Sequence, residues 1–269
     1  MMKKVKLSVN APLSDSGILK KAGFHYIEPS NTDIMKMTPL EFENAVENMR
    51  ERQMKCHVID NPIPCSVSLS SKEWEIGDWK NYLELSGRRA EKLGARYWCI
   101  GNGFSRMIHE DPSEVIVNFF GMVRECAAVG KHHGLAILVE PLGPSVTNYL
   151  NNLEEAAAFL DELGMEDVYT MVDYRWEYEQ QRPISDLYRY ADKIRHAHID
   201  NPNTDYASRK IRKIFSLSDG IDYSGFFDFV KSDSFSGILS IEANTFDDYE
   251  KELKAAMELY GAYGMLSWE

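Results

Sequence analysis

The sequence predicts an α/β protein of one domain, a closed (β/α)8 barrel. Three observations carry that expectation. Eight short apolar runs alternate with longer segments of helical spacing along the chain. Several runs are apolar on both faces, as parallel strands covered by helices must be. No Gly-, Ser- or Pro-rich linker divides the 269 residues, a length usual for one such barrel, whereas an open doubly wound sheet would normally use fewer strands.

The first run is Val5–Val9, followed by a short helical segment over Ser14–Ala22. His25–Pro29 is the second, and the helix after it has the clearest start in the chain. Thr38 suits the N-cap, Pro39 the first helical position, and Glu41 completes a capping box, with the helix running to about Gln53. Cys56–Asp60 is the third run, before a helix over Asp78–Lys92 that Gly94 stops. Arg96–Ile100 leads into the longest helix, Ser113–His133, closed by Gly134. Leu135–Glu140 leads into the alanine-rich Asn152–Leu163, closed by Gly164. Val168–Asp173, His196–Asp200 and Ile238–Ala243 complete the eight, with helices over Ser185–Lys193, Tyr223–Lys231 and Asp247 to about Tyr260.

At 44% hydrophobic and 27% charged, the chain can bury a large core. A net charge of −12 repels polyphosphate and anionic lipid, so neither nucleic acid nor a membrane surface is expected as a partner. No run approaches the roughly 18 apolar residues of a membrane span. The N-terminal lysines precede no long apolar stretch, so a secretory signal is not expected. Cys56, Cys65, Cys99 and Cys126 show no CxxC or Cys/His zinc spacing, and free thiols in a reducing cytoplasm are the expectation.

In such barrels the chemistry lies where strands end and βα loops begin. Run five ends in Val139-Glu140-Pro141, run six in Val172-Asp173, run seven is His196-Ala197-His198-Ile199-Asp200, and run eight ends in Ile241-Glu242-Ala243. Four successive strands thus deliver Glu, Asp, His and Glu at equivalent depth. Alternation puts His196 and His198 on one face, with His198 nearer the mouth. Three carboxylates and an imidazole suit one divalent ion such as Mn²⁺, Mg²⁺, Co²⁺ or Zn²⁺, which also explains how three acids can converge without mutual repulsion.

At these residues the chain resembles the xylose isomerase-like superfamily of TIM barrels, and within it the sugar phosphate isomerase/epimerase branch. Ser218-Asp219-Gly220-Ile221-Asp222-Tyr223 also resembles that family's loop before its seventh helix. The resemblance implies that Glu140, Asp173, His198 and Glu242 are metal ligands and that Glu140 and Glu242 double as an acid/base pair. Many members carry a histidine three residues after the strand-six aspartate. Here that position is Trp176, which either stacks on a sugar face or covers the core. The multi-zinc endonucleases of the same superfamily need further histidines that this chain lacks.

The expected chemistry is proton transfer on a small sugar or sugar-like hydroxy-carbonyl compound through a metal-stabilised enediolate. Glu140 and Glu242 come from strands three steps apart, on facing walls, which suits epimerisation and tolerates isomerisation. Alternatives are a metal-dependent dehydratase of a keto-inositol, an endonuclease-like phosphodiesterase, and a catalytically silent sugar-binding barrel. Further candidates for substrate contact are Glu28, Asn102 and Asn244, and Arg209 and Arg212 for a phosphate or acid group. Glu28 as a salt-bridge partner and the two arginines as a solvated loop are the competing readings. Trp74 and Trp79 wall a pocket or mediate a subunit contact, and homo-oligomerisation stays open.

Overall fold

The structure is a computed structural model that describes residues 5–71, 74–109 and 111–265. The first four residues, on which part of the N-terminal expectation rests, lie outside the described residues.

Nine parallel strands form a nearly closed barrel surrounded by helices. They are β1 (Lys6–Asn10), β2 (Tyr26–Glu28), β3 (Lys55–Cys56), β4 (Val58–Asp60), β5 (Tyr97–Ile100), β6 (Ala136–Val139), β7 (Val168–Asp173), β8 (Ile194–Ile199) and β9 (Ile238–Ile241). Their order is β3-β2-β1-β9-β8-β7-β6-β5-β4. The ninth strand is a division of the third expected run. Lys55–Cys56 pairs with β2 and Val58–Asp60 pairs with β5. Between them the His57 carbonyl accepts from the N–H groups of Arg96 and Tyr97, at 2.8 and 3.0 Å. One stretch of chain therefore changes partner at His57, and a bridge between Ser30 and Asp60 ties the seam near the mouth.

The pairing register sets what points inward. Asp173 pairs with His198, and His198 with Ser240, so these side chains share one face. Below them Val58, Cys99, Leu138 and Met171 form a small buried cluster, distinct from the larger core in which the apolar residues of the strands meet the helices.

The expected helices are present with modest changes in their ends. The capping box forms as the sequence predicts: Thr38 Oγ1 accepts from the Glu41 N–H at 3.3 Å, and Glu41 Oε2 accepts from the Thr38 N–H at 2.8 Å. Gly94 and Gly164 close their helices at φ of +77° and +66°, backbone that suits glycine. The helix expected over Ser185–Lys193 stops at Arg189. Three short helices are not announced by the sequence pattern: Asn31–Lys36, Tyr174–Glu179 and Tyr206–Arg209. Among the described residues no helix is long and apolar enough to cross a membrane.

Candidate metal centre

Asp173 ends β7, His198 lies one residue before the end of β8, and Glu140 and Glu242 directly follow β6 and β9. The barrel brings all four together: one ligand atom from each lies within 4.8 Å of the others. Three of the converging atoms lack a well-formed hydrogen bond. Glu140 Oε1, His198 Nδ1 and Glu242 Oε2 are buried and make no hydrogen bond of acceptable geometry, although His198 Nδ1 is only 2.9 Å from Glu242 Oε2 and 3.6 Å from Glu140 Oε1. Glu242 Oε2 is met by the Arg212 guanidinium, whereas Glu140 Oε1 and His198 Nδ1 are buried polar atoms that a shared cation would satisfy. The residues present therefore fit a divalent ion held by oxygen and nitrogen donors.

Asp173 and Glu242 also meet an arginine. Arg212 Nη2 donates to Asp173 Oδ2 at 2.5 Å, its Nη1 lies 2.6 Å from Glu242 Oε2, and its Nε donates to Asp200 Oδ2 at 2.8 Å. Arg175 joins the same Asp200 oxygen. The second Asp173 oxygen accepts from the Arg175 N–H at 2.9 Å and so caps the helix Tyr174–Glu179. Asn244 pins the Arg212 backbone through its side-chain oxygen and its own N–H, each at 2.9 Å. Among the described residues, the side chains of Glu140 and His198 pair with no arginine.

These contacts split the two glutamates. Burial raises the Glu140 carboxyl above its ordinary range. Burial also acts on Glu242, but the charges of Arg212 and His198 outweigh it and hold that carboxyl down at about 2. Burial opposes the charged form of His198, yet the carboxylates of Glu28 and Glu242 push it well above the usual histidine range.

A cavity of about 370 Å³ is lined by Glu140 and Glu242 and walled further by Asp60, Phe104, Leu142, Trp176, Tyr206 and Arg212 among others. Glycines make room for it. A Cβ on Gly101 would lie 2.1 Å from Glu140 Oε2, and one on Gly143 would lie 2.6 Å from the Trp176 ring.

A family model described as xylose isomerase-like TIM barrel matches residues 17–262. The chain belongs to the xylose isomerase-like TIM barrel family. No curated protein matches it in sequence. Among solved structures, D-psicose 3-epimerase from Clostridium cellulolyticum H10, crystallised with D-tagatose, superposes with a TM-score of 0.80 at 14% identity, covering 97% of this chain and 100% of that one. The 3-keto-D-glucoside 4-epimerase of E. coli gives 0.79 at 13% identity, covering 96% and 100%. L-ribulose 3-epimerase gives 0.75 at 16% identity, covering 98% and 94%. At such identities the likeness is one of architecture.

Within this family fold, the other residues singled out by sequence take varied places. Glu28 does not face the mouth. It is fully buried, with His196 Nε2 and His198 Nε2 donating to its two oxygens at 2.9 and 3.0 Å. Asn102 is buried, and its Nδ2 donates to the Ile63 carbonyl at 2.7 Å, so it secures a loop. Arg209 is exposed beside Asp205 and is not among the residues lining the cavity. Arg212 lies within the site but is engaged with carboxylates. Trp176 is 2% exposed and forms a wall of the cavity, edge-on to Tyr206 and with the Arg212 guanidinium 5.6 Å from its ring centre. Trp74 and Trp79 stack on each other and pack partly buried against the core. Asp60 was not singled out, although it ends the third apolar run as the others end theirs. It lines the cavity with one oxygen buried and unpartnered, and burial together with Glu242, Glu28 and Glu140 raises its carboxyl well above the usual range.

Proposed function

We propose that the protein is a divalent-metal-dependent isomerase or epimerase of a small sugar or sugar derivative, with Glu140, Asp173, His198 and Glu242 as ligands and Glu140 and Glu242 as the proton-transfer pair. The observation that carries this reading is the convergence of ligand atoms from Glu140, Asp173, His198 and Glu242 within 4.8 Å of one another, beside a cavity that Glu140 and Glu242 line. Membership of the xylose isomerase-like family supports it, as do structural neighbours whose names are those of sugar epimerases. An ion such as Mn²⁺, Mg²⁺, Co²⁺ or Zn²⁺ would supply Lewis-acid polarisation of the substrate carbonyl.

The residues divide the remaining work. One of Glu140 and Glu242 takes the proton from the carbon beside the carbonyl. The other, on a different strand, returns one from the facing wall. Serving one carbon from two walls inverts it, and serving adjacent carbons isomerises. Arg212 keeps Glu242 and Asp173 in place, and Trp176 and Leu142 exclude water from one side of the cavity.

Glu140→Gln and Glu242→Gln test the pair. With a panel of ketoses and Mn²⁺ in deuterated water, each variant should lose about 10²-fold or more of the solvent-deuterium exchange shown by the unaltered protein. Exchange that persists undiminished in both variants removes these glutamates from the chemistry. Mass analysis of the same samples separates this reading from dehydration, which alone loses water from the substrate.

A further inference from the structure

We infer that Glu28 and His196 form a positioning pair that presents Nδ1 of His198, and not Nε2, to the ion, an inference that rests on the metal centre proposed above. Glu28 ends β2, three strands away from β8 around the barrel, and its carboxylate reaches across the interior beneath the mouth. One oxygen accepts from His198 Nε2 at 3.0 Å and the other from His196 Nε2 at 2.9 Å. All three side chains are essentially inaccessible to solvent. An ionised carboxylate has no hydrogen to give, so both Nε2 atoms must carry one. An ion that displaces the remaining ring proton then finds the lone pair of His198 on Nδ1, the atom that faces Glu140 and Glu242.

His196 explains why the carboxylate stays in that plane. Its ring stands edge-on to that of His198, with centres 4.8 Å apart, and its own Nδ1 is buried without a partner. A histidine kept only for packing would be expected to satisfy both nitrogens. This one spends its single hydrogen bond on the second Glu28 oxygen and fixes the direction of the first. Glu28, His196 and His198 also lie close enough together to be considered as ligands for an ion of their own. Direct hydrogen bonds already fill the space between them, which favours the positioning role. Partners of this kind typically contribute 10- to 100-fold to metal affinity.

Two variants separate orientation from simple packing. Glu28→Ala should weaken Mn²⁺ binding, measured by titration calorimetry, by about 10- to 100-fold. Glu28→Gln offers one oxygen and one amide group. The oxygen can keep the His198 Nε2–H, while the amide must donate to His196, whose hydrogen moves to its unpartnered Nδ1. Mn²⁺ affinity in Glu28→Gln should therefore stay near that of the unaltered protein. Nitrogen NMR of the Mg²⁺-loaded proteins should show His198 protonated at Nε2 in both, and His196 switched to Nδ1 in the variant alone. The inference is overturned if Mg²⁺-loaded unaltered protein carries the His198 hydrogen on Nδ1, if Glu28→Ala binds Mn²⁺ unchanged, or if Glu28→Gln loses as much affinity as Glu28→Ala. An unaltered protein that takes up neither ion would instead overturn the metal centre itself.

Discussion

Glu177 lies only 6% exposed on the short helix after β7. Burial lifts its carboxyl to about 7, more than the nearby Arg182 can offset. In the unfolded chain the same group titrates near 4.5. The folded state therefore holds the proton more tightly, and stability falls as pH rises from about 4.5 through about 7. Glu177→Gln should match the unaltered protein in thermal melts at pH 4 and exceed it at pH 8, by at most roughly 3 kcal/mol at 1.36 kcal/mol per pKa unit. Equal melting at both values would show that this carboxylate is not under strain. Single residues also mark the limit of what sequence can reveal. Glu140, Asp173, His198 and Glu242 were legible because a polar residue ending an apolar run has one obvious place to go in a barrel. Arg212 was visible only as one cation in the basic stretch Arg209–Lys213. What turns Arg212 inward and leaves Arg209 in solvent is a backbone grip by Asn244, more than thirty residues away. Long-range hydrogen bonds of that kind leave no local pattern.

Among the elements, the helix Pro39–Glu51 is the one whose start was fully written in its sequence. Both halves of its capping box form, so Thr38→Ala should cost about 1 kcal/mol. In a chain of this size that corresponds to a fall of about 2–4 °C in melting temperature, readable by circular dichroism. No change would mean that the helix start is held by tertiary packing alone. The helix Tyr174–Glu179 was not anticipated, because it is too short to show two turns of apolar spacing and because Asp173 both ends a strand and caps it. The break at His57 was hidden for a different reason. The residues on either side of it are apolar in one continuous run, and only the choice of neighbour changes there.

At the scale of the whole molecule, a net charge of −12 and an acidic barrel mouth favour the arrival of cations. Binding to the folded state alone stabilises it by mass action, about 2.7 kcal/mol when the ion is at a hundredfold its dissociation constant. Adding Mn²⁺ should raise the melting temperature of the unaltered protein, a chelator should reverse the gain, and His198→Ala should show neither effect. A melting temperature indifferent to every divalent ion would count against a cation at this place. The strand order has a mechanical sequel. All four converging side chains are carried by β6 to β9, an unbroken arc of paired strands, whereas the seam at His57 lies across the ring from it. The converging donors thus hang on strands paired one to the next, while the rim on the Asp60 side is joined across the seam by the bridge between Ser30 and Asp60.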